Sequence, residues 1–366
     1  MAVNANTSIT AKSNDFIVWW RVPSPCILSH LQPFGAMLTN VLQPICQPLR
    51  YAYKPRVFIF LTREYTQMDE KKTPVHVGKS GKKLLASLKN SPIAIIGAPF
   101  PLAARAIERH SFPAVYLSGA ALSAGLLGVP DIGLIPFEIL EQQTFQLAKS
   151  VTIPVIVDAD TGYGDIDTIP NNFSRLEAAG AAGIQIEDQA TDRRCGHLDY
   201  KQVVSQKEMT ERIRAACEGR QSTDTVIIAR TDSRGVTSMK DCLSRMEAYH
   251  DAGADWLFPE ALQSKEEFAE AGELFKKLKL PGVANMTEFG KSPLLSRGEL
   301  RDLGFAAVLY PVTLLRLAMK AIELGLDVLA EKECQEPLLD FMQTREQLYD
   351  LLGYVPSDPR GSPPLA

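Results

Sequence analysis

From about Gly81 onward, short apolar runs alternate with stretches whose apolar residues recur at helical spacing. The runs are IAIIG (93–97), AVYLS (114–118), VIVDA (155–159), GIQIE (183–187), VIIAR (226–230), WLFPE (256–260), GVAN (282–285) and AAVLY (306–310). Between them lie PLAARAIERH, ILEQQTFQLAK, KEMTERIRAAC and CLSRMEAYHDAG, several of them ending near glycine as helices do. The alternation predicts repeated βα units and a parallel sheet. Eight strands with crossover helices in about 250 residues is the arithmetic of a closed (β/α)8 barrel of the TIM type. An open doubly wound sheet calls for fewer strands and a glycine fingerprint after the first, and none follows IAIIG. Helical segments at 313–332 and 337–352 exceed what a barrel needs, and they are expected to pack on a partner subunit.

The first 75 or so residues differ in texture. They are rich in Pro, Ser, Thr and aromatics, carry a Trp19-Trp20 pair, and contain only Asp15 as an acid before Glu64. The division expected is an extension over 1–78 and a barrel domain with C-terminal helices over 79–366. A basic, hydroxyl-rich leader resembles an organellar transit peptide, but this one is long and holds few arginines. A disordered extension and a misassigned start are the alternatives. The expected location is the cytoplasm, or the mitochondrial matrix if the leader is a transit peptide.

Charge narrows the partner. With 39 Lys and Arg against 43 Asp and Glu, the formal charge of −4 offers no footprint for nucleic acid or anionic lipid. No apolar run approaches the roughly 20 residues of a membrane span. A small-molecule substrate is the expectation. The six cysteines show neither disulfide-framework density nor zinc spacing, which points to a reducing compartment. Cys26, Cys46, Cys217, Cys242 and Cys334 read as small buried hydrophobes.

In such barrels the chemistry lies at the carboxyl ends of the strands. Here the runs end in polar residues: Ser118, Asp158 with Asp160, Glu187, Arg230, Glu260 and Asn285. Each alone has a plain structural reading as a turn, a cap or a neutralising partner. Converging together, buried like charges without a cation would be costly. Carboxylates without His or Cys ligand spacing favour a hard, water-retaining ion, Mg2+ or else Mn2+, acting as a Lewis acid on a 2-oxo or 2-hydroxy carboxylate.

Just beyond Glu187 stands DRRCGHLD, residues 192–199. Cationic neighbours favour the thiolate and bring the pKa of Cys195 down towards the range of acid–base work. If the segment is extended, Arg193, Cys195 and His197 share one side and Arg194 the other, with Gly196 allowing a bend. A loop carrying cations and a proton donor to a metal site suits chemistry that creates a carbanion beside a carboxylate. A cysteine-protease reading would leave the carboxylates without a task.

The segments YLSGAALS, DADTGYG, IEDQ, RRCGHLD, IARTD, FPEA, ANMTEFGKSPL and MQTREQLY resemble, in order and spacing, the isocitrate lyase and phosphoenolpyruvate mutase superfamily, nearest to its 2-methylisocitrate lyases. The resemblance covers about residues 80–355. It implies retro-aldol cleavage of 2-methylisocitrate to pyruvate and succinate, the lyase step of the methylcitrate cycle of propionate catabolism, with Mg2+ on the 2-hydroxy carboxylate. By the same resemblance Asp158 and Asp160 bind the metal, and Asp131 and Glu187 reach it through water. Ser118, Gly119, Ala120 and Arg230 contact the pyruvate moiety, and Glu260, Asn285, Thr287, Arg316 and Arg345 complete substrate recognition. Cys195, with Gly196 and His197, protonates the carbanion, while Tyr116 assists removal of the hydroxyl proton. The family's last helix is exchanged between neighbouring barrels, which implies a homotetramer.

Two departures qualify the resemblance. Arg193 replaces the family's first loop lysine, and the two side chains are not interchangeable where a flexible point charge is needed. Ala120 stands where many members carry a third glycine. Oxaloacetate hydrolases, dimethylmalate lyases, isocitrate lyases and a catalytically weak dicarboxylate-binding barrel are the alternatives, and TEFG favours methylisocitrate.

Overall fold

The computed structural model of the chain describes residues 79–190, 196–197 and 200–354. Residues 1–78, and with them the reading of the leader, lie outside the described residues, as do Cys26 and Cys46. Eight parallel strands run β1 (Ile93–Gly97), β2 (Ala114–Leu117), β3 (Val155–Asp158), β4 (Ala181–Glu187), β5 (Val226–Thr231), β6 (Trp256–Pro259), β7 (Val283–Asn285) and β8 (Ala307–Tyr310). Their order is β6-β5-β4-β3-β2-β1-β8-β7. The ring nearly closes between β6 and β7, where Leu257 N donates to Pro281 O at 3.0 Å and a single parallel bridge joins Leu257 to Gly282.

The helices are α1 (Lys79–Ser87), α2 (Pro101–Arg109), α3 (Gly119–Leu122), α4 (Phe137–Ser150), α5 (Ile169–Ala178), α6 (Gln206–Gly219), α7 (Met239–Asp251), α8 (Lys265–Leu278), α9 (Arg297–Asp302), α10 (Thr313–Lys332) and α11 (Arg345–Leu352). Four crossover helices start with one device. Ser205, Ser238, Ser264 and Ser296 each accept a hydrogen bond from the backbone N–H three residues on, which belongs to an Asp or Glu every time. The serine satisfies an otherwise orphaned donor, and the acid sits at the positive end of the helix.

Period-two alternation divides each strand between two cores. Outward residues such as Val115, Val157, Ile184, Ile227 and Leu257 pack under the helices. Inward residues, among them Ile95, Tyr116, Ile156, Ile228, Phe258 and Leu309, fill the barrel, and Leu84 of α1 joins that cluster. The same parity carries upward: two residues past Tyr116, Ile156, Ile228, Phe258 and Val283 come Ser118, Asp158, Arg230, Glu260 and Asn285. Inward-facing positions therefore turn from apolar to polar at one level of the barrel.

Three expectations need correction. The segment 337–352 is not one helix: a 3-10 turn covers Glu336–Phe341, Met342 is extended, and α11 begins afresh at Arg345. Thr344 accepts from Gln347 N while the Gln347 side chain accepts from Thr344 N, a reciprocal N-terminal cap that starts a new helix at this point. Cys334 is exposed, because it follows the end of α10, a helix with no buried residue; Cys242 is buried and Cys217 half-buried. Burial pushes the Cys242 thiol up to about 12, leaving it inert at neutral pH.

Candidate active site

The mouth of the barrel is lined by Tyr116, Ser118, Ala120, Asp131, Asp158, Gly196, His197, Arg230, Phe258, Glu260, Asn285, Thr287 and Arg316, with Leu309, Pro311 and Val312. Far apart in sequence, they meet because most of them lie at or just past the carboxyl end of a strand, with Asp131, Gly196 and His197 brought in by loops and Arg316 by α10. Ser118, Asp158, Asp160, Glu187, Arg230, Glu260 and Asn285 are all buried.

One side of the mouth is built on β2 and β3. Tyr116 Oη donates to Gln185 Oε1 at 2.7 Å, and Gln185 Nε2 donates to Asp158 Oδ1 at 3.0 Å. Asp158 also accepts from Gly119 N at 3.4 Å and from Asp160 N at 3.3 Å. Burial, then the Asp158 carboxylate, raise the Tyr116 pKa well above its ordinary value, so it stands as a neutral phenol. A Cβ at Gly119 would lie 3.2 Å from Asp160 Oδ1 and 3.4 Å from Asp158 Oδ2. The two carboxylates thus converge over a backbone that carries no side chain, and a glycine there leaves a cradle between them.

That cradle fits a particular kind of ion. Among the described residues no three His, Cys, Asp or Glu side chains are placed to enclose a metal by themselves. Two converging carboxylates, with Asp131 at the rim, suit a hard cation that keeps waters and takes oxygens from a substrate, rather than a closed cage.

The other side centres on Arg230. Its guanidinium lies 3.2 Å from Glu187 Oε2, 2.9 Å from Asp232 Oδ2 and 3.4 Å from Glu260 Oε2. Burial works against this cation, but Asp232, Glu187, Glu260 and Asp158 together raise its pKa well above the usual arginine value. Burial likewise pushes Glu260 up, yet Arg230, His197 and Lys201 prevail and hold it well below the carboxylate range. Asn285 Nδ2 donates to both oxygens of Glu260, at 3.2 and 3.1 Å, and Ala261 N donates at 2.8 Å. Asn285 Oδ1 is buried without a partner among the described residues.

Residues 196–197 are seated on this network. They form a turn rather than extended chain, and the expected sharing of one side by Arg193, Cys195 and His197 rests on residues that lie outside the described ones. A Cβ at Gly196 would stand 2.3 Å from Arg230 Nη2 and 2.6 Å from Glu260 Cγ, so only glycine allows this close approach. His197 Nδ1 accepts from Lys291 N at 2.9 Å, and Nε2 lies 2.9 Å from Glu260 Oε1. Because a backbone N–H can only donate, Nδ1 carries no proton and Nε2 is the protonated nitrogen in the neutral ring. Arg193 and Cys195 lie outside the described residues.

Two further expectations meet the structure differently. Arg316 lines the mouth from α10, half-exposed, with Nε 3.7 Å from Glu288 Oε2 and its guanidinium 5.4 Å above the Phe289 ring. Arg345 is exposed at the start of α11 and does not line the mouth of its own chain. The reason is where α11 docks: Arg105 Nη1 donates to Leu352 O at 3.4 Å and Arg109 pairs with Asp350 at 2.5 Å, which ties α11 to α2 on the outside of the barrel.

Residues that the sequence did not single out complete the network. Lys201 Nζ, buried, lies 2.7 Å from Asp232 Oδ1 and donates to Gly196 O. Asp232 N donates to Asp188 Oδ1 at 2.8 Å, and Asp188 Oδ2 accepts from Thr231 and from Tyr249 of α7, both at 2.7 Å, and from Arg245 at 3.1 Å. Asp232 follows Arg230 by two positions and so shares its inward parity, a signal that was readable. Lys201, alone in a loop, carried none.

The comparisons agree with this architecture. The family model described as phosphoenolpyruvate phosphomutase matches residues 85–329. A protein named probable 2-methylisocitrate lyase 2, from Corynebacterium glutamicum, is 46% identical over 275 residues, covering 75% of this chain and 88% of its own. A 2-methylisocitrate lyase from Aeropyrum pernix is 44% identical over 266 residues, 73% of this chain and 84% of its own. Among solved structures, oxaloacetate acetylhydrolase in complex with 3,3-difluorooxalacetate superposes with a TM-score of 0.71 at 31% identity, covering 76% of this chain and 94% of that one. With its parallel eight-stranded barrel and the polar ring at its mouth, the chain belongs to the phosphoenolpyruvate mutase and isocitrate lyase family.

Proposed function

We propose that the protein is a divalent-metal-dependent carbon–carbon lyase that cleaves 2-methylisocitrate to pyruvate and succinate, the step that the methylcitrate cycle requires. The observation that carries this reading is the pairing at one mouth of two converging carboxylates, over Gly119, with a buried guanidinium–carboxylate–imidazole network on which Gly196 is packed. The names of the relatives support the substrate.

Asp158 and Asp160 would hold Mg2+, or Mn2+, with Asp131 and Glu187 acting through its waters, and the ion supplies Lewis-acid polarisation of the hydroxy-acid oxygens. Ser118, Gly119 and Ala120 position the end that becomes pyruvate, and Arg230 offsets its negative charge. Glu260, Asn285, Thr287 and Arg316 orient the remainder, with the buried Asn285 Oδ1 available to accept from a substrate hydroxyl. Tyr116 would assist removal of the hydroxyl proton as a hydrogen-bond partner of that oxygen, the proton itself leaving to solvent, because burial and Asp158 keep its own phenol neutral. The bond next to the hydroxyl carbon breaks, its electron pair stays on the succinate-forming carbon, and Cys195 protonates that carbon.

Purified protein given Mg2+ and 2-methylisocitrate will release pyruvate, read by coupled NADH oxidation, and chelator will abolish the signal until Mg2+ is restored. The likeness to oxaloacetate acetylhydrolase keeps one second reading, hydrolysis of oxaloacetate. Acetate from oxaloacetate, with no pyruvate from 2-methylisocitrate, would establish that reading and overturn the first.

The assembly proposed is a tetramer in which α10 and α11 cover a neighbouring barrel. Leu317, Ile322, Leu324, Leu326, Leu339 and Phe341 are exposed in a single chain, and contiguous exposed apolar surface commonly marks an interface. In that assembly Arg345 would serve a neighbour's mouth. Light scattering will give about four times the chain mass; a monomer would refute it. Residues 1–78 are proposed as an extension outside the barrel domain, and sequencing the natural amino terminus shows whether a transit peptide is removed.

A further inference from the structure

Among the described residues, Lys201 is a buried cation behind the mouth that the proposed reaction does not use. Its side chain is 1% exposed, it lies 2.7 Å from Asp232 Oδ1, and it donates to the carbonyl of Gly196. It is absent from the residues lining the mouth, so it does not meet the substrate. Asp232 is itself fixed from behind: its N–H donates to Asp188, and Asp188 is held by Tyr249 and Arg245 of α7. Burial pushes the Asp232 carboxyl up, but Arg230 and Lys201 outweigh it and bring it below the usual value, so it remains an anion for both.

An ammonium taken out of water is tolerated only when paired and hydrogen-bonded. Here the paired anion belongs to the rigid wall of the barrel, and the hydrogen-bond acceptor is the backbone of Gly196. Satisfying Lys201 therefore couples the position of Gly196 to α7 and β5. His197 adds contacts to Glu260 and Lys291 N, of which Glu260 lies at the mouth itself.

We infer that Lys201 is the positioning residue that fixes residues 196–197 against the mouth, acting through the Gly196 carbonyl from its anchor on Asp232. Its kinetic consequence rests on the lyase reading above, because a displaced Gly196 would misplace the proton donor one residue away. A misplacement of about 1 Å costs on the order of a hundredfold in rate.

The test is Lys201→Met in the full chain, read by backbone hydrogen exchange and by steady-state kinetics. Exchange in a peptide covering 196–204 will accelerate about tenfold or more, while a peptide covering 239–251 in α7 keeps its wild-type rate. With 2-methylisocitrate and Mg2+, kcat will fall about 10- to 100-fold with KM within about threefold of wild type. Lys201→Arg, which retains a cation, will recover at least part of both, and it decides the matter if the methionine variant fails to fold. Unchanged exchange at 196–204 would overturn the inference, as would faster exchange with an undiminished kcat. If wild-type protein does not cleave 2-methylisocitrate, the lyase reading fails, and the exchange measurement still decides whether Lys201 anchors the segment.

Discussion

Arg230→Met will destabilise the fold by about 3–5 kcal/mol, on the order of 10 °C in melting temperature, in addition to abolishing turnover. The guanidinium is within 3.4 Å of Glu187, Asp232 and Glu260, all of them buried. Methionine keeps much of the volume but removes the charge, and the three carboxylates are left facing one another. The pH dependence carries the sign. In the wild-type protein Glu260 and Asp232 are held below their unfolded values, so their contribution is complete above about pH 5 and is lost as pH falls through the folded pKa. Without Arg230, burial and mutual repulsion dominate and push those carboxyls up. The folded variant then binds more protons than its unfolded chain, and its deficit shrinks on going from about pH 8 to about pH 5. Denaturant melts at both pH values measure this. A loss below about 1 kcal/mol, or one independent of pH, would show that the cluster is not held together by Arg230.

Cys195→Ser will lower kcat for 2-methylisocitrate cleavage by about 10²–10⁴-fold, the range that a positioned proton donor contributes. A serine hydroxyl is nearly isosteric but far less acidic than the thiol, so binding geometry is retained while proton delivery fails. Mg2+ affinity, followed by calorimetry, will stay within about twofold of wild type, because the carboxylates over Gly119 are untouched. A variant that retains more than about a tenth of the wild-type kcat would remove Cys195 from the reaction. The neighbouring Gly196→Ala change separates placement from chemistry: the added methyl collides with Arg230 and Glu260 in the ground state, so it displaces the segment with the thiol still present.

Much of this architecture is legible in the amino-acid order because barrel strands obey a two-residue repeat. Asp158, Arg230 and Glu260 stand two positions beyond apolar residues that fill the barrel, and that parity sends them inward at the level where the filling ends. Local capping is equally readable, as Ser296 and Glu299 show. Where local order does not decide the outcome, the deciding interaction lies far away in the chain. Residues 196–197 form a turn because Lys201, Glu260 and Lys291 hold them, and the last two are remote in sequence. Arg345 is drawn outside by contacts of α11 with Arg105 and Arg109. Lys201 gave no signal because a lone loop lysine is ordinarily solvated, and only the fold reveals that Asp232, just past the end of β5, lies beside it.

By itself, then, the order of residues determined the eight strands, their inward and outward faces, and the set of polar side chains that end them, since each follows from local periodicity and propensity. Only the tertiary structure decided which groups pair at the mouth: Arg230 among three carboxylates, the Gln185 amide between Tyr116 and Asp158, and the loop residue Lys201 between Asp232 and the Gly196 carbonyl. The physical reason is that electrostatic and hydrogen-bonding partners at the mouth come from different strands, and the distances between strands are set by closing the sheet, which no local stretch of the chain encodes.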